Sequence, residues 1–183
     1  GYIRLFSKCD LFVIYDCVQF QRRGWTSRNK IQNNWLTLPL KKGPRDTTRN
    51  VDLAYLDTAQ ILWQQRLEKF PLLRQMKSLL LDLRSSPLDF LTHCLHFACK
   101  TLKIPFNICF SSDLNIPPTI KCQDRIITIA KKLNAKEFIN PISGQHLYFP
   151  ETFAKHDIKL TFLPTYLGSN RSIIERFLTE PLD

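Results

Sequence analysis

From Ser86 to Glu180, helical and strand patterns take turns along the chain, and that alternation constrains the fold more than any other feature. SPLDFLTHCLHFACKTL (86–102) is helical: Ser86 can cap, Pro87 suits the first helical position, and Asp89 falls in the first turn. FNICFSSDL (106–114) reads as a buried strand running into a polar turn, KCQDRIITIAKKLNA (121–135) as an amphipathic helix, and EFINPI (137–142) as a short strand. PETFAKHD (150–157) opens a short helix on Pro150, IKLTFLPTY (158–166) forms a last strand, and SIIERFLTE (172–180) a closing helix. Such alternation predicts an α/β fold with parallel strands joined by right-handed crossovers. In that class ligands gather at the carboxyl ends of the strands.

The first half is less regular. DLFVIYD (10–16) is a near-continuous β-branched and aromatic run, as expected of a strand covered on both faces. WLTLPLK (35–41) alternates apolar and polar residues and reads as a second strand, at an edge or bulged because of Pro39. QNN (32–34) is a turn and KKGPRDTTRN (41–50) a polar basic loop. DTAQILWQQRLEKF (57–70) and LLRQMKSLLLDLRSS (72–86) are expected helices, separated by Pro71.

A chain of 183 residues favours one domain, with a possible helical insertion near 57–102. No apolar run approaches the roughly 20 residues of a membrane span. GYIRLFSKCD lacks the apolar core and small-residue cleavage site of a signal peptide, so none is expected within it. The six cysteines form no C-x-x-C and no zinc spacing. Cys94 and Cys99 fall on an apolar helical pattern and are expected as core thiols, which fits a cytoplasmic location. The net charge of +10 is uneven: residues 1–50 hold ten Lys/Arg against three Asp/Glu. A local basic surface favours phosphates, carboxylates or nucleic acid.

The cations follow the first strand, in YDCVQFQRRGWTSRNK (15–30). Asp16 could act as general base, metal ligand or hydrogen-bond acceptor, or could simply cap a turn. Gln19 can both donate and accept. Arg22, Arg23 and Arg28 can clamp phosphate or carboxylate bidentately. Trp25 could stack on a sugar or base, or lie in the core, and Asn29 could orient a substrate. Lys41 and Lys42 read as solvated. Two further strand ends, around Ser112 in 111–113 and from Asn140 through Gly144 in 140–145, could converge with the first on one crevice. His146 is the best-placed histidine for a general base. His93 and His96 lie three apart on a helix without further ligands at convincing spacing, and His156 reads as a helix-end cation. There is no G-x-G-x-x-G, Walker A or G-x-S-x-G signature, so no metal or cofactor is identified.

The segment GYIRLFSKCDLFVIYDCVQFQRRGWTSRNKI followed by WLTLPLKK resembles the start of the WbqC-like protein family. FSSDL, RIITIAKKLNAKEFINPISGQHLY and SIIERFL extend the likeness over nearly the whole chain. The resemblance implies a single WbqC-like domain, a Rossmann-like three-layer α/β sandwich with a mostly parallel sheet, here lacking its first strand. It also implies a place in bacterial O-antigen or surface-polysaccharide biosynthesis, with glycine or amino-acyl transfer to a sugar as the proposed reaction. Two departures stand out. The Q-P-x-F-x-P-like stretch expected before Gly-Tyr is missing, and Cys17 stands where the family commonly has a second Asp.

Three functions compete on these residues. A transferase would hold an anionic substrate, a nucleotide-sugar or acyl donor, in a basic crevice. A faint likeness to nucleotidylyltransferases gives nucleotidyl transfer or adenylate formation as its alternative. A nucleic-acid module is disfavoured by the acids within the motif and the lack of a basic helix. A non-enzymatic scaffold is the third, with Cys17 marking a lost site.

Overall fold

In chain order the elements are α1 (Tyr2–Phe6), β1 (Phe12–Ile14), β2 (Arg28–Ile31), β3 (Asn34–Thr37), α2 (Ala59–Glu68), α3 (Lys77–Leu81), α4 (Pro87–Thr101), β4 (Ile108–Phe110), α5 (Cys122–Lys132), β5 (Glu137–Pro141), α6 (Pro150–Ala154), β6 (Lys159–Leu163) and α7 (Ile173–Thr179). The structure is a computed structural model that describes residues 2–21, 23–43 and 49–180. It divides into two units: Gly1–Tyr15 with Ile104–Gly168, and Asp16–Lys103 with Ser169–Asp183.

Unit 1 carries the parallel pairing that the alternation predicts. β1 pairs with β4 from Phe12↔Ile108 to Ile14↔Phe110. β5 pairs with β6 from Glu137↔Lys159 to Pro141↔Leu163, and α6 supplies the helical crossover between them. α5 turns Ile126, Ile127, Ile129 and Ala130 inward, and these pack with Ile116, Phe153 and Ile158. Phe153 is fully buried and stacks on Phe138 at 5.6 Å, with Tyr148 edge-on at 5.9 Å. Burying each such aliphatic or aromatic side chain contributes about 1.5–3 kcal/mol.

Unit 2 is a hairpin against helices. β2 and β3 are antiparallel, Arg28↔Thr37 to Ile31↔Asn34, joined through Gln32 (φ 46°) and Asn33 (φ 67°). Two consecutive positive φ values give a two-residue turn of the hairpin-matched kind. Ile31 and Leu36 bury into a core with Trp63, Leu67, Leu73, Leu80 and Phe90. The Trp63 indole N–H donates to the Leu80 carbonyl at 2.6 Å, so this large aromatic is buried with its polar atom satisfied. α4 begins as its sequence predicts: the Ser86 hydroxyl accepts from the Asp89 N–H at 3.1 Å, and Pro87 occupies the first turn. Cys94 packs against this core, its thiol pushed up to about 12 by burial, and Cys99 is fully buried.

The structure revises three local expectations. β2 occupies part of a stretch read only as a strand-following loop. Residues 71–76 are a 3-10 segment, leaving α3 just five residues where a helix over 72–86 was expected. β3 ends at Thr37, ahead of Pro39; the Leu38 N–H still donates to the Ser27 carbonyl at 2.8 Å, and beyond Pro39 a bridge pairs Leu40 with Tyr55. Pro lacks the N–H that a continuing ladder would use.

Candidate functional site

β2 and β3 alternate as half-buried strands do. Ile31 and Leu36 point into the core. The opposite face carries Arg28, Lys30, Trp35 and Thr37, because directly paired residues share a side and the pairs alternate. Two cations and an indole therefore lie on one outer surface. Arg28 spreads its guanidinium over the Trp35 ring, 3.8 Å from the centroid. Trp25, from the turn before β2, tilts onto Trp35 at 5.3 Å and is 72% exposed. The core alternative for Trp25 thus fails; the core tryptophan of this unit is Trp63.

Arg28 also has a polar atom that the protein leaves unmet. Its Nε is buried and has no hydrogen-bond partner among the described residues. No carboxylate lies in ion-pair range of its guanidinium in the described part of the chain. A guanidinium stacked on an aromatic ring keeps its in-plane donors directed sideways, where a planar or tetrahedral anion can meet them.

The hairpin is fastened from behind by the end of the chain. The Asn29 amide donates to the Ser172 hydroxyl at 2.8 Å, and the Gln32 N–H donates to a Glu175 carboxylate oxygen at 2.9 Å. Glu175 is buried and paired with Arg171 at 2.8 Å, and Arg171 also reaches Glu180 at 3.1 Å. The Gln32 N–H, aided by Arg171, holds the Glu175 carboxyl below its usual range. Asn29 is thereby committed to holding the hairpin.

Asp16 follows β1 in a turn and is 1% exposed. Its carbonyl accepts from the Val51 N–H at 2.9 Å, and Gln19 bridges Arg49 in antiparallel fashion. Arg49 in turn grips Asp52 bidentately, at 2.8 and 3.0 Å. A short second ladder thus covers the Asp16 backbone, and its carboxylate is a buried group. Gln19 and Arg23 are exposed; Arg23 takes a positive φ of 64°. Arg22 lies outside the described residues. Lys41 pairs with Asp57 at 2.7 Å, both exposed.

In unit 1 the register Ile14↔Phe110 brings the end of β1 beside the end of β4, where Ser111 is fully buried and Ser112 half-buried. Asn140 lies within β5, opposite Phe162. Gly144, in the 3-10 segment that follows, lies so close to Asn140 that a Cβ would fall 2.4 Å from its amide nitrogen. His146 is exposed in the same segment. Among the described residues no three His, Cys, Asp or Glu side chains group as a metal site. Among the described residues no helix is long and apolar enough to cross a membrane.

Sequence reasoning passed over Trp35, Lys30, Arg66 and Glu175 as site residues. For the first two the signal existed: RNKI and NWLT, set in antiparallel register, put R-x-K opposite W-x-T. RNKI was hidden because only Ile31 is apolar.

The model of the WbqC-like protein family matches residues 1–169, and the chain belongs to that family. The match holds the whole hairpin and both parallel pairs and ends before α7. No curated protein and no solved structure matches the chain.

Proposed function

We propose that this member of the WbqC-like family is a transferase of bacterial O-antigen or surface-polysaccharide biosynthesis, moving a glycine or other amino-acyl group onto a sugar. The anionic substrate, a nucleotide-sugar or acyl donor, is held on the outer face of the β2–β3 hairpin. The observation that carries this reading is Arg28: a cation stacked on Trp35, with a buried Nε lacking a partner, beside the exposed Trp25. An unneutralised guanidinium with an unmet buried donor is costly unless an anion completes it. Trp25 offers a ring for the donor's base or sugar to stack on.

In the proposed reaction the acceptor's hydroxyl or amine attacks the acyl carbonyl, Asp16 takes its proton, and the leaving group departs with its charge on Arg28, Lys30 and Arg23. Asp16 is proposed for this role because it is the carboxylate that directly follows β1. Ser112, Asn140 and Gly144 are proposed as substrate-binding residues of unit 1 in their own right, with His146 as the acid–base group of that unit. The two parallel pairs are proposed to belong to one Rossmann-like three-layer sandwich in a single cytoplasmic WbqC-like domain, with residues 57–102 as a helical insertion.

The test is a thermal-shift screen of nucleotide-sugars, nucleotides and acyl thioesters on wild type and Arg28→Ala. At a hundred times its Kd, a true ligand raises Tm by roughly 5–10 °C. Arg28→Ala is expected to abolish that shift. A ligand that stabilises both proteins equally removes Arg28 from the site.

The near-complete burial of Asp16, with Cys17 in place of an acid, supports a second reading as a binding protein without turnover. Asp16→Asn discriminates: under the transferase reading it ends turnover while ligand binding persists.

A further inference from the structure

Beside the Arg28 surface, a second concave surface belongs to the same unit. An open groove of about 750 Å³ runs along the β3 edge, lined by Asn34, Trp35, Thr37, Arg66, Lys69 and Phe70. Its volume falls within the range of small-ligand sites, roughly 300–1,000 Å³. Trp35 is 43% exposed, so a ligand can reach its ring.

The chemistry of the lining is specific. Arg66, on α2, spends one nitrogen on the Thr37 carbonyl at 2.5 Å, which fixes the guanidinium beside the strand edge and leaves its other donors unspent. Lys69 is exposed just past the end of α2 and has no ion-pair partner among the described residues. Glu68 is not part of the lining, and no acid is. The groove therefore offers an indole plane, two cations and the Asn34 amide, on a wall backed by Phe70.

We infer that this groove binds an acidic saccharide: a pyranose ring laid by its C–H face on Trp35, its carboxylate between Arg66 and Lys69, and a hydroxyl on the Asn34 amide. A flat ring with an apolar face and an anionic edge matches those donors. A neutral sugar leaves the cations unmatched, and a purely inorganic anion leaves the indole unmatched. The groove shares Trp35 and Thr37 with the Arg28 face and is distinguished from it by Arg66, Lys69 and Phe70. It deepens the transferase reading by supplying an acceptor subsite, and rests on that reading only for the name acceptor.

Tryptophan fluorescence of the full chain tests it, with digalacturonate as probe and lactose as the neutral control of equal size. Digalacturonate is expected to quench saturably, with lactose weaker by about tenfold or more, the scale of one charge-assisted hydrogen bond. Lys69→Glu and Lys69→Ala, both at an exposed position, should weaken digalacturonate binding by about tenfold or more, while Arg28→Ala retains it. No saturable quench, equal lactose binding, or unchanged affinity in both Lys69 variants overturns the inference. Loss of nucleotide binding in Arg28→Ala together with retained digalacturonate binding separates the two sites. Failure of digalacturonate alone leaves the donor reading standing.

Discussion

The two units reach a folded core by opposite routes. In unit 1 the parallel pair β5–β6 and its crossover α6 lie within one stretch of chain, and the isoleucines of α5 cover the same core. In unit 2 the decisive contacts join residues 143 apart, Asn29 to Ser172 and Gln32 to Glu175. Charge divides them as well. By sequence, unit 1 holds nine Lys/Arg against six Asp/Glu, and unit 2 holds seventeen against ten. Unit 1, where β5, α6 and β6 are local although β1 reaches β4 across most of unit 2, is the nearer to balance. The unit assembled by distant polar contacts carries most of the excess positive charge, and it contains both the Arg28 face and the groove beside it. Surplus cations destabilise a compact state by mutual repulsion, so the excess carried by unit 2 points to use rather than to folding.

The sharpest way to break this comparison is at its two cores. Phe153→Ala in unit 1 is expected to cost about 3–5 kcal/mol in urea unfolding, because Phe153 is fully buried between Phe138 and Tyr148. Ile31→Ala on the inner face of the hairpin should cost about 2–5 kcal/mol and also weaken ligand binding on the outer face, since it loosens β2. Phe153→Ala should leave the Arg28-dependent ligand shift in place while both cores remain folded. Equal losses of ligand response in the two variants would dissolve the functional contrast between the units.

The next test bears on the non-local clamp. Glu175 is held below the usual carboxylate range by the Gln32 N–H and Arg171, so its folded pKa lies below its unfolded one. The sign follows: its stabilisation is fully present above the ordinary value of about 4.3 and fades as pH falls through the lower folded value. Glu175→Gln should cost about 1–2 kcal/mol at neutral pH, discounted for the half-exposed Arg171. The gap between variant and wild type should close below about pH 4. A gap that persists in acid would mean that Glu175 matters through packing alone.

The same contrast explains what the sequence discloses. Every helix and strand expected after residue 86 appears, with ends shifted by a few residues, because each buries its own periodic apolar face: Ile126, Ile127 and Ile129 in α5, Leu160 in β6. The Ser86 cap was equally readable, since a cap is decided within four residues. β2 was not, because RNKI spends three of four positions on solvent or on polar contacts whose partners lie elsewhere. Asn29 and Gln32 acquire their roles from Ser172 and Glu175, which no local window contains. Of the candidate site, the residue types around Trp25 and Arg28 were legible, and their stacking on Trp35 needed the hairpin register. Whether the Asp16 carboxylate was a surface cap or a buried group could not be read from its neighbours, because the contacts that hold its turn, Val51 to the Asp16 carbonyl and Gln19 to Arg49, are distant in sequence.

The smallest expected effect comes from a pair of matched helix ends. α4 closes through Leu102 (φ −87°, ψ 5°) into Lys103 (φ 53°), and α5 closes through Leu133 (φ −92°, ψ 4°) into Asn134 (φ 53°). Both leucine N–H groups donate back to the helix, to Ala98 and Ile129. The backbone is the same; the residue placed in the left-handed region is not. A left-handed conformation strains an ordinary L residue by about 1–2 kcal/mol, while Asn tolerates it through its short polar side chain. Unit 1 fills such positions with Asn115, Asn134 and Asp157 alongside Cys122, whereas unit 2 uses Arg23, Gln32, Arg84 and Lys103 with Asn33. Lys103→Gly should therefore stabilise the protein by about 0.5–1 kcal/mol, the relief exceeding the added freedom of the unfolded chain. Asn134→Gly should change it by a few tenths at most. Paired urea titrations measure both. A gain at Asn134 as large as at Lys103 would show that the two units bear backbone strain alike, and that the asymmetry between them is confined to charge and to the distant clamp.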